Sequence, residues 1–497
     1  MSKIAFLETS VLWGQHYETG LELMQLEMDA GNDIYQMACS VHLPVCEINH
    51  NHDFFKCMSC ISKRKFGVDH LDKKVSILPI IAITPEQKAI TDTIQFNGNS
   101  LAELKALKYE EFEAGMAAAS SLISNYRDPR FDVVKDKEKI NNYLKASVAV
   151  YFTMLNYLTE YKFDKVYIFN GRYTYTRAAV RACEKLEVTY VNHERGNSPQ
   201  HYQLYENRLP HDLTWWQSQM HLIWDKADPV ERVETGKLFY HNRSTGIPDI
   251  WYSFSQYMEK GLLPLNWNPD NWNIVIFNSS EDEMAAISEE IKMGIYESQL
   301  QAIQKITTDL KGREDVHIYL RIHPNLKGST NYDFTELFNI KTDNFTIILP
   351  ESSTNSYDLI DHSSVVLNFG STIGIEAAFR GKPVVLAEST YFGKLDVNHI
   401  PKNHEEVIEM ITSKNLKPLN TENFLKFGFY MKTFGMPFKH FKAIGFESGT
   451  FKGVEIVSFK GAKWKLIRFI LKTDWLKPIQ ILIHRFFNRN TFGTTPK

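Results

Sequence analysis

Asn368-Phe-Gly-Ser-Thr-Ile-Gly-Ile-Glu-Ala-Ala-Phe-Arg-Gly-Lys-Pro-Val-Val-Leu386 decides how this chain is read. Ser364 to Asn368 has the apolar run of a buried strand, and Gly370-Ser-Thr372 is a turn. A short helix follows, then a Gly-Lys-Pro stop and a second strand from Val384 to Ala387. Gly370 permits a tight backbone turn. Ser371 or Thr372 caps the helix and leaves N–H groups pointing outward, which suits a phosphate. Glu376, further along the helix, is placed for a ribose hydroxyl. This is the layout of a nucleotide-sugar site in a doubly wound domain. An ordinary crossover with a serine cap is the competing reading.

The same alternation runs outward on both sides. Ile274–Phe277, Val316–Ile322 and Phe345–Leu349 are apolar strand runs. They end in Asn278-Ser-Ser280, His323-Pro324 and Pro350-Glu-Ser-Ser353, and a helix is expected from Glu289 to Leu310. Carboxyl ends of parallel strands share one sheet edge, so the loops Arg321–Pro324, Glu351–Ser353 and Gly370–Thr372 meet at one crevice. His323 offers an N–H to phosphate, with Pro324 fixing the exit of the chain. Ser352, Ser353, Ser371 and Thr372 offer hydroxyls, and Arg321 and Lys382 offer charge. Taken singly, each has a plainer role as a cap, a packed loop histidine or a surface cation.

The front half opens the same way. Ile4–Leu7 is a strand run, Glu18 to Ala30 a helix and Ile34–Ala38 a second strand, without a GxGxxG fingerprint. Val166–Phe169 and Thr189–Val191 belong to a second βαβ unit, ending at Asn170-Gly-Arg172 and His193-Glu-Arg-Gly196. Residues 85–160 and 200–260 read as mainly helical, and Pro264–Pro269 as a linker. The expected fold class is therefore α/β, with two Rossmann-like domains and a helical C-terminal extension. The expected boundaries are 1–262, with a Cys-rich insert at 39–60, then 270–415 and 416–497.

At 497 residues the chain exceeds one hydrophobic core. A net charge of −3 excludes a general nucleic-acid binder, and 43% hydrophobic content is that of a globular protein. The opening residues read as a strand, and no apolar run is long enough to span a bilayer, so a cytoplasmic location is expected. Cys39, Cys46, Cys57 and Cys60 lie among His42, His50 and His52, and Cys57-Met-Ser-Cys60 is a CxxC knuckle. A structural zinc is one reading of these thiols, and buried small apolar side chains are the other. Residues 461–490 interleave Lys463, Lys465, Arg468, Lys472, Lys477, Arg485 and Arg489 with Trp, Phe, Ile and Leu. A basic aromatic segment of this kind suits the anionic inner face of a membrane. The alternative is a terminal helix packed on the first domain.

The order strand-His323-Pro324, then Glu351-Ser-Ser353, then Asn368 to Ala377 with Gly381-Lys-Pro-Val384 behind it, resembles GT-B glycosyltransferases of bacterial capsule and surface-polysaccharide synthesis. It is similar to the group containing capsule Kdo transferases and, more distantly, bacterial sialyltransferases. The match covers about residues 315 to 390. It implies two domains facing across a cleft, with the donor on the second and the acceptor on the first, and catalysis without a bound metal. It gives donor-nucleotide roles to His323, Pro324, Ser352, Ser353, Ser371 and Thr372, with Glu376 a ribose contact. The implied partners are a nucleotide sugar and a glycan or lipid-linked glycan. CMP is favoured, with UDP and GDP open. An inverting transfer needs a general base. The candidates at strand-end loops of the first domain are Glu18, His16 and Glu194, with Glu8 behind them, and Arg172 and Arg195 are candidate anion contacts. Two rival readings are a nucleotide-sugar 2-epimerase of the same fold and a non-catalytic polysaccharide-assembly scaffold.

Overall fold

The computed structural model describes residues 1–39, 41, 43–247, 258–287, 294–419, 421–473 and 478–479. The chain forms two compact units. The first holds Met1–Tyr126, Phe131–Pro210 and the chain from Gly435, and the second holds Arg127–Arg130 and His211–Phe434.

In the first unit, β1 (Lys3–Glu8), β2 (Asp33–Ala38), β3 (Ser76–Pro79), β4 (Lys165–Phe169), β5 (Thr189–Arg195) and β6 (His201–Glu206) lie in the order β6-β5-β4-β1-β2-β3. The first five strands are parallel to their neighbours and β6 is antiparallel to β5. Strands buried on both faces need continuous apolar runs, which is why Ile4-Ala-Phe-Leu7 and Val166-Tyr-Ile-Phe169 were legible as strands. Helix His16–Asp29 follows β1 and buries Leu21, Met24 and Met28 against the sheet.

The second unit holds β7 (Trp272–Phe277), β8 (Val316–Arg321), β9 (Phe345–Ile348), β10 (Val365–Asn368) and β11 (Val384–Leu386). All are parallel, in the order β11-β10-β7-β8-β9. Ile274, Ile276, Ile318, Leu320, Val365 and Leu367 are almost fully buried in its core. Both sheets reverse direction beside their first strand, at β1/β4 and at β7/β10. That switch point is where doubly wound sheets open a crevice for ligands. The expected α/β class with two Rossmann-like units is what the chain forms.

The boundaries fall elsewhere than the sequence reading set them. Residues 211–262 belong to the second unit, because helix Pro229–Thr245 packs on helix Asn423–Thr433. A Cβ at Gly236 would stand 2.7 Å from the Leu425 carbonyl oxygen, so the contact requires glycine. Tyr240 stacks on Phe379 at 4.1 Å. Pro264–Pro269 is not a free linker, since Trp267 stacks on Tyr319 with ring centres 4.5 Å apart. The chain re-enters the first unit at β12 (Met436–Pro437), which pairs antiparallel with β6. A small sheet of β13 (Phe441–Ala443), β14 (Gly449–Phe451) and β15 (Val454–Glu455) follows. The fully buried Glu22 carboxylate accepts the backbone N–H groups of Lys439, His440 and Phe441 at 2.7–2.9 Å.

Helix Ala462–Lys472 follows the small sheet. Of the basic segment expected at 461–490, residues 474–477 and 480–490 lie outside the described residues, as do 289–293 of the helix expected from Glu289 to Leu310. Residues 294–298 are not helical, and the helix starts at Gln299, where the extended Ser298 caps it by accepting from the Gln301 N–H. No described helix is long and apolar enough to cross a membrane.

Candidate functional site

A cavity of about 700 Å³ opens at the carboxyl edge of the second sheet. Four strand ends build it: Asn278–Ser280 after β7, His323–Asn325 after β8, Phe369–Ile373 after β10 and Glu388–Tyr391 after β11. The central turn is fixed from within. Gly370 adopts φ 83°, which only glycine reaches without strain. The Asn368 side-chain amide then donates to the Ser371 carbonyl at 2.9 Å and ties the turn to the strand below it. Among the described residues, no carbonyl or side chain accepts the backbone N–H groups of Ser371, Thr372 and Ile373. Three donors are thus available at the cavity wall, at the positive end of helix Ile373–Phe379.

His323 lines the cavity. Its backbone N–H donates to Asn278 Oδ1 at 2.8 Å, and its Nδ1 accepts from the Asn325 backbone N–H at 3.2 Å. The ring proton is therefore assigned to Nε2. Burial, and then the charges of Arg243 and Arg321, push the imidazole pKa down to about 4, so near neutral pH the ring is an uncharged donor. Arg243, on helix Pro229–Thr245, supplies the charge that sequence reasoning did not find. Its guanidinium lines the cavity and reaches Thr372 Oγ1 at 3.4 Å and Glu376 Oε1 at 3.3 Å. Nothing local in the sequence marks it, because helix 229–245 joins this unit through packing on helix Asn423–Thr433 and on Phe379, both far along the chain.

Several expected contacts are placed differently. Arg321 touches the cavity, but its guanidinium donates to the Leu349 carbonyl and, at 3.1 Å, to the Ser352 carbonyl, so it braces the loop after β9. Ser352 and Ser353 do not line the cavity. β9 is the outermost strand, and its loop folds back on itself: Ser352 Oγ bonds Thr354 Oγ1 at 3.0 Å, and the Ser353 carbonyl accepts from the Glu259 N–H. Ser356 and Tyr357, just beyond, face the cavity instead. Glu376 is 2% exposed, accepts from the Tyr357 hydroxyl at 2.5 Å and pairs with Arg243. It orients those two side chains and does not reach the cavity to meet a ribose. Lys382 points away and donates to the Asp361 and Ser363 carbonyls. Gly370, Ser371, Thr372, His323 and Pro324 do come together as expected.

Glu388 was also not foreseen. Its carboxyl lines the cavity and accepts from Gln299 Nε2 at 3.1 Å. Burial, with the neighbouring Glu281 charge, raises its pKa to about 8.

The first unit has its own polar cluster at the carboxyl ends of β1, β4 and β5. His16 packs on Phe169 with ring centres 4.1 Å apart, and Phe169 lies 5.7 Å from His193. Burial, then the charges of Arg195 and His193, hold the His16 pKa well below its usual value. Such an imidazole is a weak proton acceptor. Glu18 is buried in an ion pair with Lys63 at 2.8 Å. Glu8 accepts from the Ser10 hydroxyl and backbone N–H. Glu194 is half-buried at the end of β5; Asn170 Nδ2 donates to one oxygen at 2.5 Å and the Arg195 N–H to the other at 3.3 Å. Burial raises its pKa, which strengthens it as a base. Asn170 holds that geometry from a left-handed backbone, φ 60°. Arg172 donates to Ser124 and Tyr173, and Arg195 to the Gly14 carbonyl at 3.0 Å, so both brace loops.

Cys39, Cys46, Cys57 and Cys60 line one small enclosed pocket. Burial pushes the Cys46 thiol up to about 12 and Cys57 to about 11, and Asn49 Nδ2 lies 3.2 Å from Cys57 Sγ. Among the described residues, no three His, Cys, Asp or Glu side chains are grouped to hold a metal ion. His42 lies outside the described residues.

No protein-family model matches the chain, and no curated protein matches it. Among solved structures, KpsC, a β-Kdo 2,4 transferase of Thermosulfurimonas dismutans, is similar at 15% identity over 54% of this chain and 79% of its own, with a TM-score of 0.37. UDP-GlcNAc 2-epimerase from Neisseria meningitidis, bound to UDP-GlcNAc, is 13% identical over 86% of this chain and 97% of its own, with a TM-score of 0.30. CalG4, the calicheamicin glycosyltransferase, is 10% identical over 87% and 93%, with a TM-score of 0.25. Kdo transferases, which the motif order resembles, are thus among the structural neighbours. At these values the likeness assigns no residue role or activity to this chain.

Proposed function

We propose that this protein is a glycosyltransferase that moves a sugar from a nucleotide-sugar donor to a growing capsular or other surface glycan, working peripherally at the inner face of the cytoplasmic membrane. The cavity of the second unit is the donor site. One observation carries the reading: the unpaired N–H groups of Ser371, Thr372 and Ile373 share a cavity wall with neutral His323 and cationic Arg243. Hydrogen-bond donors of mixed charge gathered at a switch point suit a phosphate whose negative charge grows as the sugar leaves. The His323 Nε2–H and the three amides stabilise the leaving phosphate. Arg243, held in place by its ion pair with Glu376, presents its guanidinium to the phosphate at the cavity wall. The acceptor is taken by the polar edge of the first unit. There Glu194, positioned by Asn170, removes the proton from the attacking hydroxyl in an inverting transfer.

CMP is the favoured nucleotide on the motif resemblance. A thermal-shift scan with CMP, UDP and GDP tests this, since only the cognate nucleotide raises the melting temperature strongly. The corresponding nucleotide sugar is then supplied with and without a lipid-linked glycan. Acceptor-dependent release of nucleotide supports transfer. A new epimer of the free donor indicates an epimerase, and no binding of any nucleotide indicates a scaffold.

A further inference from the structure

Helix Ala462–Lys472 has two apolar faces, and only one is covered. Trp464, Ile467 and Leu471 pack with Phe459 against Met58 and Ile61 of helix Phe54–Val68 in the first unit. Leu466 and Phe469, three residues apart on the opposite side, are each 60% exposed. Residues 461–473 contain Lys463, Lys465, Arg468 and Lys472 and no acidic side chain. Three of these cations are placed by aromatic rings of the packed side: Lys463 over Trp464, Arg468 over Phe459 and Lys472 over Phe55. The helix is therefore pinned to the fold with exposed apolar residues bordered by positive charge.

We infer that Leu466 and Phe469 insert into an anionic lipid surface, with the flanking lysines and arginine engaging lipid headgroups. Water does not favour two large apolar side chains left exposed on a well-anchored helix. Four cations with no acidic partner among the described residues favour a negative surface, and the pairing of apolar face and basic border is that of an interfacial helix. The two sequence readings of this segment are thereby joined, because the face packed on the fold orients the face offered to lipid. The inference refines the membrane location in the proposed function but does not depend on the reaction.

The test uses the full-length protein and sedimentation with vesicles of phosphatidylcholine alone or with 30% phosphatidylglycerol. Binding is expected only to the anionic vesicles, falling several-fold when salt is raised from 0.1 to 0.5 M. Leu466→Asp/Phe469→Asp is expected to weaken it at least tenfold, and Lys463→Glu/Lys465→Glu by a similar factor. Unchanged melting temperature and nucleotide affinity in these variants show that the fold and donor site are intact, so this inference and the proposed reaction fail separately. Equal binding to neutral vesicles, no vesicle binding, or a concentration-dependent dimer lost in Leu466→Asp/Phe469→Asp would each overturn it.

Discussion

Replacing Gly374 with alanine tests how the donor-site turn is held. Gly374 lies in the first turn of helix Ile373–Phe379, directly over Asn368. A Cβ there would stand 2.3 Å from Asn368 Nδ2 and 2.7 Å from its Cγ. Asn368 is fully buried and cannot swing into solvent, and its amide is the group that bonds the Ser371 carbonyl. Overpacking costs about 1–3 kcal/mol. Loss of the buried hydrogen bond adds about 1 kcal/mol, and the better helix propensity of alanine returns about 1 kcal/mol. The expected net loss of stability is about 1–3 kcal/mol, read by urea denaturation. Nucleotide affinity, read by calorimetry, should fall about tenfold because the amides of Ser371 to Ile373 lose their anchor. In an Asn368→Ala background the clash is gone, so Gly374→Ala should become neutral or stabilising. An equal penalty in both backgrounds, or unchanged affinity in the single variant, would refute the tether.

Other expectations concern the groups around it. Arg243→Met strands the buried Glu376 carboxylate with only the Tyr357 hydroxyl, at a cost of about 2–4 kcal/mol. Adding Glu376→Gln should restore stability in denaturation but not nucleotide affinity, and recovery of both would show that Arg243 is only structural. Glu388 titrates at about 8 in the fold against 4.5 when free, so its contribution is intact below pH 4.5 and is lost as pH rises toward 8. Glu388→Gln should therefore gain melting temperature over the wild type between pH 5 and pH 8.5, and a pH-independent difference would contradict that. Glu22→Ala leaves the N–H groups of residues 439 to 441 without their carboxylate and should cost about 3 kcal/mol. Hydrogen exchange at those amides should speed up first, and unchanged exchange would place their anchor elsewhere.

Much of the fold was legible because parallel strands buried on both faces leave unbroken apolar runs. Ile274–Phe277, Val365–Leu367 and Val384–Leu386 end where the polar loops begin, and those ends mark the cavity. β6 was hidden, since His201-Tyr-Gln-Leu-Tyr-Glu206 is half-exposed and carries few of the aliphatic residues that mark a core strand. Arg243 was hidden for a different reason: its unit is assigned by a glycine contact between helices distant in sequence, which no local pattern encodes. Ser352 and Ser353 misled because a serine pair at a strand end looks the same whether it faces a ligand or caps its own turn. Glu376 had the right spacing for a ribose but is turned inward by the Tyr357 hydroxyl and Arg243, partners that lie 19 and 133 residues away.

Amide hydrogen exchange with and without the nucleotide that gives the largest thermal shift is the most direct measurement. Occupation of the second-unit cavity predicts slowed exchange at Ser371, Thr372 and Ile373, with protection of His323 and Asn325, and loss of that protection in His323→Ala. Protection confined to other segments, with the 371–373 amides exchanging as fast as in the free protein, would contradict it.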